Sequence, residues 1–264
     1  MNNLLGVIFL TTIFGLFSAL GITWYARAAR LLGPRDVARS ASFGISDTIL
    51  AGLLSLLFLA TIAESTGEEP IITSGAVVMS MIVMGGLVSL IVCSLLIRRL
   101  NVVELFGLYW PGWRYQLRWL GISFLAMFPV VIGAHLLSSS FFPPDKQVQG
   151  IVLFFQQSNS WADRLLVIVM AVVAAPVTEE FIFRGYLYGV FRKYVGRLFG
   201  MLVVSALFAA FHVHLPALAG LFLLAMALNF VYERTGSLWA PILMHAAFNA
   251  TSLVFALIWP DGAP

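Results

Sequence analysis

Long apolar runs constrain this chain more than any other feature. Residues 71–97 contain no charged side chain, and about 18 apolar residues suffice to cross a bilayer. A soluble core could not hide so many of them. Of the 264 residues, 61% are hydrophobic and 10% are charged, where a soluble domain carries roughly a quarter charged. The solvent for most of the surface must therefore be lipid. The runs predict eight helices, over roughly 3–25, 43–63, 71–97, 117–139, 165–190, 198–214, 217–233 and 238–259. Only helices and closed barrels satisfy the backbone in lipid, and runs this long without polar–apolar alternation are helices. The expected fold class is all-α, a polytopic membrane helix bundle of about eight transmembrane helices.

Charge placement orients the bundle. Arg27, Arg30, Arg35 and Arg39 follow the first run, and Arg98, Arg99, Arg114 and Arg118 follow the third. Arg192, Lys193 and Arg197 follow the fifth, and Arg234 follows the seventh. These are 12 of the 15 basic residues, against Lys146 and Arg164 on the opposite side. The positive-inside rule makes the first side cytoplasmic and puts both termini outside. It also accounts for the net charge of +3 without nucleic acid. No Lys or Arg precedes Leu4, so the basic n-region of a signal peptide is missing and Met1–Tyr25 is expected to be a retained helix. The single cysteine, Cys93, can form no intrachain disulfide. Residues 100–116 mix aromatics with Pro111 and Gly112 and suit an interfacial segment. Residues 137–163 hold a Pro-Pro and the apolar patch Ile151–Phe155, which suits the outer surface or a partial re-entry. Asp47 reads as a helix-start or packing residue. Residues 1–160 are expected to be accessory helices and interfacial segments, and 161–264 the part that carries chemistry.

That expectation rests on polar residues inside apolar runs. The run VMAVVAAPVTEEFIFRGYLYGVF places Glu179, Glu180 and Arg184 within a span. Three such residues at mid-helix cost about 8–10 kcal/mol on insertion scales, so the helix needs partners. Glu180 and Arg184 are four apart and can pair. Glu179 lies about 100° round the helix, a carboxylate without a cation. Pro176 predicts a kink just before it. In the next polar helix His212 follows Phe208 by four residues, and His214 falls near Pro216 at the helix end. In the last run His245 and Asn249 are four apart, beside Ala246, Ala247 and Ala250, small residues that let helices approach. A Glu with a His can hold and deprotonate water. A His N–H and an Asn amide can stabilise an oxyanion. No Ser or Cys is placed as a nucleophile, so direct attack by water is the simpler chemistry.

The motifs E-E-F-I-F-R (Glu179–Arg184), F-A-A-F-H (Phe208–His212) and H-A-A-F-N (His245–Asn249) stand in the order EExxxR, FxxxH, HxxxN. In this the chain resembles the CPBP family of intramembrane endopeptidases, which includes type II CAAX prenyl proteases and bacterial Abi-type proteins. The resemblance covers roughly residues 165–260. It implies that Glu179 and His212 activate water, that His245 and Asn249 form the oxyanion site, and that Glu180 and Arg184 support them. The family has been described as both metallo- and glutamic-type. The zinc signature H-E-x-x-H is absent, so the sequence requires no cofactor. A zinc ion on Glu179, His212 and His245 is chemically possible. The implied partners are a protein or peptide substrate at the membrane and the bilayer itself, with no nucleic acid. The expected localisation is the plasma or inner membrane. Two other readings stand beside the peptidase. One is a proton-coupled transporter, since intramembrane Glu, His and Arg can form a proton relay. The other is a non-catalytic scaffold or immunity protein on the same fold.

Overall fold

The computed structural model describes Ala19, Thr23 and residues 42–64, 72–143 and 148–258. The run expected over 3–25 lies outside the described residues, except for Ala19 and Thr23, which are helical. No strand occurs among the described residues. In chain order the helices are α1 (Ile45–Glu64), α2 (Ser74–Ile97), α3 (Val102–Phe106), α4 (Trp113–Ser139) and α5 (Gly150–Gln157). They continue with α6 (Trp161–Val195), α7 (Arg197–Phe211), α8 (Leu218–Thr235) and α9 (Trp239–Ile258).

Among the described residues, five stretches are long and apolar enough to cross a membrane: α2, α4, α6, α9 and Leu215–Thr235, which adds a 3-10 turn to α8. The apolar part of α1, Ile45–Thr61, and α7 are shorter. The chain is therefore a multi-pass membrane bundle. Of the eight expected spans, five are of full length and two are short among the described residues, and the first falls outside them apart from Ala19 and Thr23. At 15 residues, α7 rises about 22 Å at 1.5 Å per residue, less than the hydrocarbon core.

Aromatic packing draws the bundle around the second half of α6. Phe183 stacks on Phe58 of α1 at 5.3 Å and meets Phe208 of α7 edge-on at 5.2 Å. Phe181 meets Phe106 of α3 at 4.6 Å. In lipid, such rings hold helices by close packing rather than by leaving water.

Polar contacts pin the basic side. Asp47, in the first turn of α1, is fully buried, accepts from Gly44 N at 2.6 Å and pairs with Arg98 at the end of α2. It is thus a helix-start residue as expected, and an inter-helix tie as well. The interfacial segment is held to the α8–α9 turn. Leu238 N donates to Gly107 O at 3.3 Å, and Trp239 Nε1 donates to Leu108 O at 2.9 Å. Gly107 has φ +65°, and a Cβ there would lie 1.9 Å from Gly236 O. Only glycine permits this approach. On the other side, α5 lays Phe155 against Val167 and Leu253, and Gln156 Nε2 donates to Ala256 O at 2.9 Å.

Candidate active site

The carboxylates lie on α6 between two departures from α-helical winding. Residues Met170–Ala174 and Phe181–Leu187 are π-helical, with α-helical Ala175–Glu180 between them. A π turn inserts a residue and swings the side chains beyond it round the axis, and such turns gather at functional sites. Proline explains the first one. In its register Ala175 N donates to Met170 O, five residues back. The next carbonyl, Ala171 O, would receive its bond from residue 176, which is proline and has no N–H. Asn249 of α9 fills that place: its Nδ2 donates to Ala171 O at 2.7 Å.

Glu180 sits at the centre of the buried polar network. Its Oε1 accepts from Arg184 Nη1 at 2.8 Å and lies 2.8 Å from His245 Nδ1. Glu180 and Arg184 are both fully buried. The guanidinium also lies 4.4 Å above the Phe208 ring, and its Nη2 reaches Ala225 O at 3.4 Å. The expected ion pair is present, and it has a second duty. A carboxylate can only accept from the ring, so His245 Nδ1 carries a hydrogen and its Nε2 is turned away.

His212 is fixed in the same sense. It follows the last residue of α7, and its Nδ1 lies 2.8 Å from the carbonyl of Phe208. A carbonyl only accepts, so this Nδ1 is also the N–H. In its neutral form each ring therefore presents a bare Nε2 lone pair. Both point at the same atom. Glu179 Oε2 is 4.0 Å from His212 Nε2 and 4.0 Å from His245 Nε2. This oxygen is buried and makes no hydrogen bond among the described residues.

Three acceptors thus converge on one point. Such a point needs a group with hydrogens or positive charge, since an unsatisfied buried acceptor costs about 1–3 kcal/mol. A water about 2.8 Å from each atom spans these gaps with normal hydrogen bonds. A zinc ion matches the donors in kind: two imidazoles with their Nδ1–H groups held, and one carboxylate. It does not match them in spacing. Tetrahedral ligands at about 2.1 Å lie roughly 3.4 Å apart, closer than both gaps observed. No group of three or more His, Cys, Asp or Glu side chains has metal-binding geometry among the described residues.

Of the six residues singled out by sequence, the structure joins Glu179, Glu180, Arg184, His212 and His245 into one cluster. Asn249 lies one turn along α9, with one amide hydrogen on Ala171 O and the second left to donate elsewhere. His214, expected near Pro216 at the helix end, lies beyond α7 and is buried. Two contributors were not singled out for the site. Phe208 supports both imidazoles, at 4.7 and 5.7 Å between ring centres, as well as Arg184. Its place at the head of the second motif was the available signal. Val213 follows His212 with φ +49° and ends α7 there. A β-branched residue rarely adopts that conformation, and nothing in the sequence flags it.

Residues 160–251 match the family described as Type II CAAX prenyl endopeptidase Rce1-like. The chain is 32% identical over 147 residues to an Escherichia coli protein named "Uncharacterized 24.3 kDa protein", covering 53% of this chain and 66% of that one. It is 28% identical over 92 residues to the Bacillus subtilis (strain 168) protein named "Putative membrane peptidase YdiL", covering 35% of this chain and 38% of that one. The chain thus spans less than two thirds of either relative's length. No solved structure matches it. The matched segment begins beside the first residue of α6, ends within α9, and contains all three motifs. Residues 160–251 thus match the type II CAAX prenyl endopeptidase Rce1-like family and carry the three motifs by which the sequence resembles the CPBP group.

Proposed function

We propose that this protein is an intramembrane endopeptidase that hydrolyses a peptide bond of a membrane-associated protein or peptide with water as the nucleophile. One observation carries the reading: Glu179 Oε2, His212 Nε2 and His245 Nε2 converge as three acceptors around a gap of water size. A water held there donates its hydrogens to Glu179 and one imidazole, which turns an oxygen lone pair outward. Glu179 takes the proton as the water attacks the carbonyl, and returns it to the leaving amine as the C–N bond breaks. When His245 carries a solvent-derived proton on Nε2, Glu180 on its other nitrogen stabilises it, and it can donate to the oxyanion. The second amide hydrogen of Asn249 is a further donor. Phe208 and the Glu180–Arg184 pair hold the rings in place.

On this reading residues 161–264 form the catalytic part and 1–160 an accessory part. The protein lies in the plasma or inner membrane with its arginine-rich loops in the cytoplasm and both termini outside. The test is digestion of a library of membrane-associated peptides by the purified protein in lipid nanodiscs, read by mass spectrometry in 18O-labelled water. The expected result is cleavage with one 18O in the new carboxyl group, reduced at least 100-fold in Glu179→Gln and in His212→Ala. Equal cleavage by wild type and Glu179→Gln would refute the assignment. Proton flux in liposomes that Glu179→Gln abolishes, without cleavage by wild type, would replace it with transport.

A further inference from the structure

A cavity of about 520 Å³ lies between α4, α7 and α8, apart from the carboxylate–imidazole cluster. Met127, Leu198, Met201, Met226 and Phe230 line it, and Arg197 is its one charged wall residue among the described residues. The volume is that of a small-molecule or lipid-chain site.

Charge and apolarity are graded along this cleft. Arg197 and Leu198 open α7, and Phe230 lies near the end of α8, all at the arginine-rich level. Met127 lies fourteen residues into α4, about 20 Å along that helix. The walls therefore run from the basic interface toward mid-membrane. Positive charge gathers at the interface end. Glu233 accepts from Tyr188 Oη at 2.6 Å and from Arg192 Nε at 3.0 Å. Arg197 reaches it only at 3.7 Å and keeps its side chain 48% exposed. The Arg234 guanidinium lies 4.9 Å over the Phe230 ring, itself a wall. Two arginines thus face one carboxylate, and a third lies on the Phe230 wall. Leu198, next to Arg197, is exposed at the opening.

A guanidinium at the headgroup level above a narrow apolar cleft matches one ligand chemistry, a phosphate with an acyl chain attached. Basic pockets between membrane helices on the cytoplasmic side recognise anionic headgroups in this way. We propose that the cleft binds one anionic phospholipid, with an acyl chain between α4, α7 and α8 and its phosphate on Arg197.

The purified full chain is titrated in neutral detergent with phosphatidylglycerol or phosphatidylcholine and followed by native mass spectrometry. Thermal unfolding is measured in parallel. One phosphatidylglycerol should be retained and should saturate, about fivefold more tightly than phosphatidylcholine, the factor for about 1 kcal/mol from one basic residue. Arg197→Gln should bring phosphatidylglycerol down to the phosphatidylcholine level, and Arg197→Lys should restore most of the difference. Leu198→Trp, at the opening, should weaken both lipids. The lipid-free melting temperature of Arg197→Gln, at a half-exposed position, controls for folding. The proposal is overturned if wild type retains the two lipids equally, or if adducts accumulate without saturation. It is also overturned if Arg197→Gln leaves phosphatidylglycerol unaffected, or if glycerol phosphate gives the same thermal shift as the whole lipid.

Discussion

Replacing Asn249 by alanine removes the donor that meets Ala171 O at 2.7 Å. In an ordinary helix the carbonyl would keep its own backbone partner, and the loss would be small. Interhelical hydrogen bonds in membranes average about 0.6 kcal/mol, with a maximum near 1.7. Here the backbone partner is Pro176 and cannot donate, so the upper end applies: about 1.5 kcal/mol for Asn249→Ala. Pro176→Ala supplies an N–H in the register that Ala175 N–Met170 O sets. In that background the carbonyl has a partner, and Asn249→Ala should cost about 0.5 kcal/mol. The coupling energy is then about 1 kcal/mol, well above the scatter for independent sites. Unfolding of the four proteins of the cycle by denaturing detergent, followed by circular dichroism, measures it. A coupling within about 0.3 kcal/mol of zero would refute the idea that Asn249 stands in for the missing amide.

The two adjacent carboxylates should separate by phenotype. Glu180→Gln leaves Arg184 buried without a counter-ion, which costs about 3–5 kcal/mol, so the variant should accumulate poorly or melt far below wild type. Glu179→Gln breaks no hydrogen bond among the described residues and should melt within a few degrees of wild type while losing peptide cleavage. Chelation gives a third check, drawn from the 4.0 Å spacings. Cleavage should survive exhaustive treatment with 1,10-phenanthroline followed by desalting. Loss on treatment with recovery on added zinc would show that the three side chains close onto an ion.

Much of this was legible in the sequence because lipid makes polar residues conspicuous. A Glu, an Arg or a His in an apolar run has few innocent explanations, and the i, i+4 spacings of Glu180–Arg184 and Phe208–His212 translated directly into contacts. The bond between Glu180 and His245 was not legible, because it joins residues 65 positions apart on helices whose rotation is set by packing. The π turns were hidden for a related reason. Proline at 176 announces a disturbance, but whether the helix kinks or winds wider depends on a donor from another helix. Spacing alone put His245 and Asn249 on one face. It could not say that one turns to a carboxylate and the other to a backbone carbonyl. The shortness of α7 was not legible either, because hydropathy does not measure where a helix stops, and Val213 stops α7 at His212.

That stop has a consequence for the surrounding lipid. Beyond His212 the chain leaves α-helical winding until Leu218, and Val213 and Leu215 are exposed there. Irregular backbone facing hydrocarbon is not tolerated, so this stretch must meet headgroups or water. A helix of about 22 Å against a core of about 30 Å leaves a mismatch of roughly 8 Å, which a bilayer relieves by thinning locally. Thinning of this kind would leave a dimple in the leaflet beside α7, and bilayer thickness would then control how close bulk water comes to Glu179.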